Sequence, residues 1–180
     1  MRRIEIPDIG VEVGGVNFPN PIVLASCATG WDGKHMRECG EAGAGGVVPK
    51  TLAPEQTDHP RVGRMGLVRH ENKPIGLINL ELFSTLPFQD WLDRELEEAE
   101  KGGVPIVASI LAHPDPSSTY EVVKKVSETG FVSMIELNMS CPMPEEETGM
   151  HISRKPELIK DQVKASKEAT DLPVCAKLSP

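Results

Sequence analysis

Ile135-Glu-Leu-Asn-Met-Ser-Cys-Pro142 is the stretch on which the reading of this chain turns. Phe131 to Leu137 form an apolar run whose only charge is Glu136; it is too short for a helix, has the length of a buried strand, and stops at Asn138. Cys141 follows three residues later, and Pro142 stiffens the loop behind it. An amide and a thiol at the tip of an apolar strand put polar chemistry on one rim of a sheet, where α/β enzymes carry theirs.

Elements of the same kind lie on either side. Upstream, Pro105 to Ile110 is a buried-type strand, and Ser118-Thr-Tyr-Glu121 has the spacing of a capping box opening a helix that stops at Gly130. Before that strand, Phe88, Leu92, Leu96 and Ala99 recur near the helical period, Trp91 sits beside them, and Gly102-Gly103 ends the pattern. Downstream, Pro156 suits the first turn of a helix burying Leu158, Ile159 and Val163, and Val174 to Leu178 is a strand carrying Lys177. Two more strands, Pro21 to Ser26 and Val47 to Lys50, flank a helix from Gly33 to Ala42. The glycines at 43, 45 and 46 follow a helix and precede a strand, the reverse of a phosphate loop, so they read as a helix stop. Residues 4–18 hold two short alternating runs around Gly14-Gly15, a hairpin signal. Thr51 to Pro87 shows no strong period and reads as a long functional loop with minor structure of its own.

Strands alternating with helices imply right-handed βαβ units and a parallel sheet, with ligands at the carboxyl ends of the strands. Those ends are Ser26, Lys50, Asn138 and Lys177. Taken singly, each lysine reads as a solvated side chain and Cys141 as a small buried hydrophobe. Together they point to a shared site, because a buried lysine or amide without a partner is costly.

Composition sets the class. The 180 residues, 39% hydrophobic and 26% charged, suit a single globular domain, and the formal charge of −8 without a Lys/Arg run argues against nucleic acid as a partner. Met1-Arg2-Arg3 leads into Ile4-Glu-Ile-Pro-Asp8 rather than an apolar segment, so neither a signal peptide nor a membrane span is expected. Four cysteines, at 27, 39, 141 and 175, lack paired spacing, which suits reduced thiols in the cytoplasm and gives no metal motif.

Six segments in order carry a family likeness: Asn20-Pro-Ile-Val-Leu-Ala-Ser26, Lys50-Thr51, Pro60-Arg61, Gly76-Leu-Ile-Asn79, Glu136-Leu-Asn-Met-Ser-Cys-Pro142 and Ala176-Lys-Leu-Ser-Pro180. The chain resembles the FMN-dependent dihydroorotate dehydrogenase superfamily, including the related catalytic region of dihydropyrimidine dehydrogenase. The resemblance implies a (β/α)8 TIM barrel with FMN over its C-terminal mouth and a pyrimidine against the flavin. It implies flavin contacts from Ala25, Ser26, Lys50, Thr51, Asn138 and Lys177, and pyrimidine contacts from Lys50, Asn79 and Asn138. Cys141 would be the catalytic base, taking a proton from C5 of the dihydropyrimidine while hydride leaves C6 for the flavin. Cysteine rather than serine there resembles the soluble enzymes, and Met143 stands where dihydroorotate enzymes usually carry an asparagine, which turns attention to a related dihydropyrimidine.

Such a barrel takes about 250 residues and eight strands. The strands read here are five, so the expectation is the N-terminal portion of an FMN-binding barrel after a β-hairpin, or a homo-oligomer or second chain that completes it. A non-catalytic half-barrel or subunit is the competing expectation from another class.

Overall fold

The computed structural model describes residues 8–54, 65–79, 82–141 and 150–179. Residues 4–7 of the expected ribbon, Pro60-Arg61, Pro142, Met143 and Pro180 lie outside them. The chain opens on an antiparallel pair, β1 (Val11–Val13) and β2 (Val16–Phe18), with Gly14 and Gly15 both at positive φ in the turn, a conformation that glycine adopts without strain. This ribbon underlies the sheet that follows: Phe18 is buried with Val48, Val107 and Met134, and a Cβ on Gly14 would lie within 3.3 Å of Pro173 and Met134.

Five parallel strands then run side by side in chain order. β3 (Val23–Leu24) pairs with β4 (Gly46–Val47), and the bridges Val47↔Ile106 and Leu52↔Ile110 join that pair to β7 (Val107–Leu111). β7 pairs with β8 (Met134–Met139), and β8 with β9 (Val174–Leu178). The described strands do not close into a barrel; they are an α/β arrangement consistent with part of one. Only Val23 and Leu24 of the Pro21 to Ser26 run pair as strand, with one neighbour among the described strands.

Helices separate these strands. α1 (Gly33–Glu41) starts at Asp32, whose carboxylate accepts from the His35 backbone N–H at 2.8 Å, and it buries Met36. α2 runs from Phe88–Asp90 through a π turn, Trp91–Glu95, into Leu96–Glu100, and fully buries Trp91, Leu96 and Ala99. α3 (Pro116–Glu128) is capped by Asp115, with Pro116 in its first turn, so the expected Ser118 cap lies inside the helix instead. Asp115 wins because its side chain already satisfies the Ser117 N–H. After the short α4 (Met150–Ser153), α5 (Pro156–Ala169) starts at its proline as expected.

Alternation along the strands sorts the side chains. Ile135, Leu137 and Met139 join Ala108 and Ile110 in the main core with Val122, Val123 and Val126 of α3. Met134, Glu136 and Asn138 therefore face the other way, the side on which Met134 meets Phe18 of the ribbon and Asn138 lines a polar cavity.

One segment carries more structure than the sequence announces. Thr51 to Pro87 is not a loop throughout: β5 (Met65–His70) and β6 (Lys73–Asn79) form an antiparallel hairpin. Glu71 and Asn72, both at positive φ, make its two-residue turn, and the register shifts between Val68 and Arg69. Gly66, Pro74 and Gly76 interrupt the alternation that would have announced two strands.

Candidate functional site

The carboxyl ends of four parallel strands deliver one polar cluster. Ser26 follows β3, Lys50 and Thr51 follow β4, Asn138 stands near the end of β8 with Ser140 and Cys141 beyond it, and Lys177 lies on β9 directly opposite Asn138. With Leu82 these residues line a cavity of about 170 Å³. Lys50 and Thr51 are each 3% exposed, Asn138 7% and Cys141 9%, so the polar groups are held inside the fold. Backbone contacts set the approach: the Lys50 N–H donates to Gly30 O at 2.7 Å, and any Cβ on Gly30 would come within 2.6 Å of Val48 O, which only glycine permits.

Thr51 is the hub of the hydrogen bonding. Its Oγ1 accepts from Asn138 Nδ2 at 2.9 Å and lies 3.0 Å from Ser109 Oγ and 3.2 Å from Ser26 Oγ. Asn138 Oδ1 accepts from both the N–H and the hydroxyl of Ser140, at 3.0 and 2.8 Å. Both acceptor positions of that oxygen are taken, and among the described residues no partner takes the second amide N–H of Asn138. Lys177 Nζ donates to Glu136 Oε1 at 2.7 Å across the β8–β9 pair. Cys141 packs with Ala53, Phe83 and Leu111, an apolar wall on one side of the thiol.

Six sequence-predicted residues thus meet around one cavity: Ser26, Lys50, Thr51, Asn138, Cys141 and Lys177. Two do not line it. Ala25 is exposed beside Ser26, and Asn79 is exposed at the end of β6. Two residues escaped the sequence reading. Ser109, fully buried on β7, supports Thr51, and Glu136 binds Lys177. A signal existed for Glu136, since a lone carboxylate within an apolar strand requires a partner.

Charge chemistry elsewhere is modest. The Cys175 thiol, opposite Glu136 on β9, is pushed above its ordinary range by burial and then by the Glu136 carboxylate. Burial likewise raises the Cys39 thiol, with Cys27 adding to the effect. None of the four cysteines is in a disulfide. Among the described residues no cluster of three or more His, Cys, Asp or Glu could hold a metal ion, and no helix is long and apolar enough to cross a membrane.

Chemically, the cavity offers hydroxyl and amide donors, two ammonium groups and one thiol, a set suited to a planar polar heterocycle and to moving a proton. Comparison with known proteins agrees in kind. The family model described as dihydroorotate dehydrogenase matches residues 9–180. The catalytic subunit of dihydroorotate dehydrogenase B (NAD(+)) from Pyrococcus abyssi is 37% identical over 177 residues, covering 94% of this chain and 53% of that protein. Chloroplastic dihydropyrimidine dehydrogenase (NADP(+)) from Arabidopsis thaliana is 29% identical, covering 97% of this chain and 43% of its own length. The chain spans about half the length of the curated relatives it matches. A crystal structure of DHODH from Eimeria tenella in complex with ferulenol superposes with a TM-score of 0.64 over 94% of this chain and 46% of that one, at 16% identity, a likeness of fold. On the match over residues 9–180, the chain belongs to the dihydroorotate dehydrogenase family.

Proposed function

We propose that this chain carries the first five βα units of a TIM-barrel, FMN-dependent oxidoreductase that oxidises dihydroorotate to orotate or reduces a related pyrimidine. The observation that carries this reading is the cavity that gathers Cys141, Asn138, Thr51, Lys50, Ser26 and Lys177 at the carboxyl ends of parallel strands in a member of this family. The donor set fits the flavin: an isoalloxazine edge presents carbonyl and ring-nitrogen acceptors, and the cavity presents hydroxyls, an amide N–H and ammonium groups. At about 170 Å³ the cavity is below the ~300 Å³ lower bound of ordinary small-molecule sites, so its described walls line one part of such a site rather than enclose a whole cofactor.

When bound, FMN supplies a two-electron acceptor or donor of hydride. The protein's own residues do the rest. Cys141 Sγ removes the C5 proton in the oxidative direction and returns it in the reductive one, while hydride leaves or reaches C6, so the ring double bond forms or is reduced in balance. Thr51 fixes the Asn138 amide, whose remaining N–H orients a ring carbonyl. Lys177 and Lys50 stabilise negative charge that develops on the rings. Phe83 and Leu111 keep water from one side of the thiol.

Replacing Cys141 by alanine tests this. The variant should keep a yellow flavin spectrum and lose turnover of dihydroorotate or uracil by about 10²- to 10⁴-fold, the usual worth of a positioned acid–base group. Unchanged turnover on every pyrimidine tried overturns the mechanism.

A second reading has its own observation. β3 and β9 are each paired on one side only among the described residues, and Ile22, Val23 and Leu178 are exposed there. This favours a chain whose sheet is completed by a partner, either a second copy or another subunit, and which is inert alone. A flavin-loaded monomer in size-exclusion chromatography with an absorbance scan counts against it, and a colourless oligomer supports it.

A further inference from the structure

Glu136 is an anomaly in an apolar strand. It lies one alternation step below Asn138 on β8, on the same face of the sheet as Asn138, between Ser109 of β7 and Cys175 of β9 in register. A carboxylate in that position is stable only with a cation. The cation comes from the level above: Lys177, opposite Asn138, turns back along β9 and donates to Glu136 Oε1 at 2.7 Å. The Glu136 side chain is 16% exposed and that of Lys177 36%, so the pair is screened less than a fully exposed one. The elevated Cys175 thiol registers the same carboxylate from across the strand pair. Lys177 is also a wall of the cavity, whereas Glu136 is not, so the ammonium faces a ligand on one side and its countercharge on the other.

We propose that Glu136 is a positioning residue: it holds the Lys177 ammonium at the floor of the cavity and, as its countercharge, limits how much positive field Lys177 presents to the ring bound there. The inference rests on the flavin reading above for the identity of that ring. A ligand that gains negative charge on reduction draws on the cation, and Glu136 opposes that draw. Removing the charge while keeping the shape should therefore favour the reduced ligand.

The test uses Glu136→Gln, whose amide oxygen still accepts from Lys177 but carries no charge, with two readouts. In flavin-free protein, reductive methylation followed by mass spectrometry should label Lys177 severalfold faster than in wild type, while the exposed Lys34 and Lys164 react at unchanged rates. In flavin-loaded protein, the ratio of reduced to oxidised flavin at the potential where the wild type is half reduced should rise severalfold. The gain should vanish when Glu136→Gln is made in a Lys177→Gln background, which has no ammonium to release and keeps the comparison available if the single variant folds poorly. Unchanged labelling overturns the pair. Faster labelling with an unmoved flavin ratio, or a gain that survives in the Lys177→Gln background, overturns the role as countercharge. Protein that takes up no flavin in any form sinks the flavin reading and the tuning with it, while the labelling ratio still reports on the pair itself.

Discussion

The β7–β8–β9 sheet and the β5–β6 hairpin use similar residues to opposite ends. Both are rich in Val, Ile, Leu and Met, yet every residue of β7 is buried and β8 is buried except for Glu136, whereas β6 is exposed along its whole length and β5 nearly so. In the sheet, one face meets α3 and the other meets the ribbon and the polar cluster. In the hairpin, Leu67 pairs with Leu77 and Gly66 with Ile78, and neither row is covered by another described element. Apolar strands are thus held in place by what covers them, and an isolated two-stranded hairpin is marginal. The candidate chemistry follows the same division in part: Lys50, Thr51, Asn138 and Cys141 stand on or beside the covered strands β4 and β8, Ser26 and Lys177 stand on or beside β3 and β9 at the edges of the described sheet, and Asn79 stands on the bare hairpin.

Leu137→Ala tests the covered side most severely. The side chain is fully buried in the main core, so truncation should cost about 2 to 5 kcal/mol in denaturant unfolding. A loss below about 1 kcal/mol would mean that this core repacks freely and that the contrast with the hairpin is overstated.

What could be read from the sequence divides along the same line. β8 was legible because an apolar run of strand length ends on a polar pair, and α5 because Pro156 marks its first turn. The strand-end residues were legible as a group because the parallel topology sends every carboxyl end to one rim. The α3 cap was misread, since Asp115-Pro116 and Ser118 both offer start signals and only the side-chain geometry decides. The hairpin was hidden by its glycines and proline and by lacking a buried face to impose a period. The partners of Ser109 and Glu136 were illegible because each lies far off in the chain, Thr51 at a separation of 58 residues and Lys177 at 41.

An intermediate effect belongs to the start of α1, which packs against the covered side. Burial raises the Asp32 carboxyl, but hydrogen bonds from the His35 backbone and ring outweigh it and hold the group below its ordinary range. A carboxyl lowered in the folded state contributes stability above its unfolded value near ~3.9 and loses it as pH falls through the folded one. Asp32→Ala should therefore cost about 1 kcal/mol at neutral pH, and the difference from wild type should shrink below about pH 4. A difference that stays constant from pH 7 to pH 2 would show that the ionised cap is not its source.

The smallest effect is expected on the hairpin, and it is the one that most sharpens the contrast. Leu77 is 69% exposed, and Leu67 opposite it is 50% exposed, so Leu77→Ser removes little apolar area that folding had taken from water. The change in unfolding free energy should fall within about 0.5 kcal/mol, the range of ordinary surface substitutions. Amides of β5 and β6 should also exchange with solvent faster than those of β8, because no packed layer has to open first. A loss comparable to that of Leu137→Ala, together with slow exchange in the hairpin, would mean that its apolar rows are covered in solution, and the division between covered and bare strands would have to be redrawn around whatever covers them.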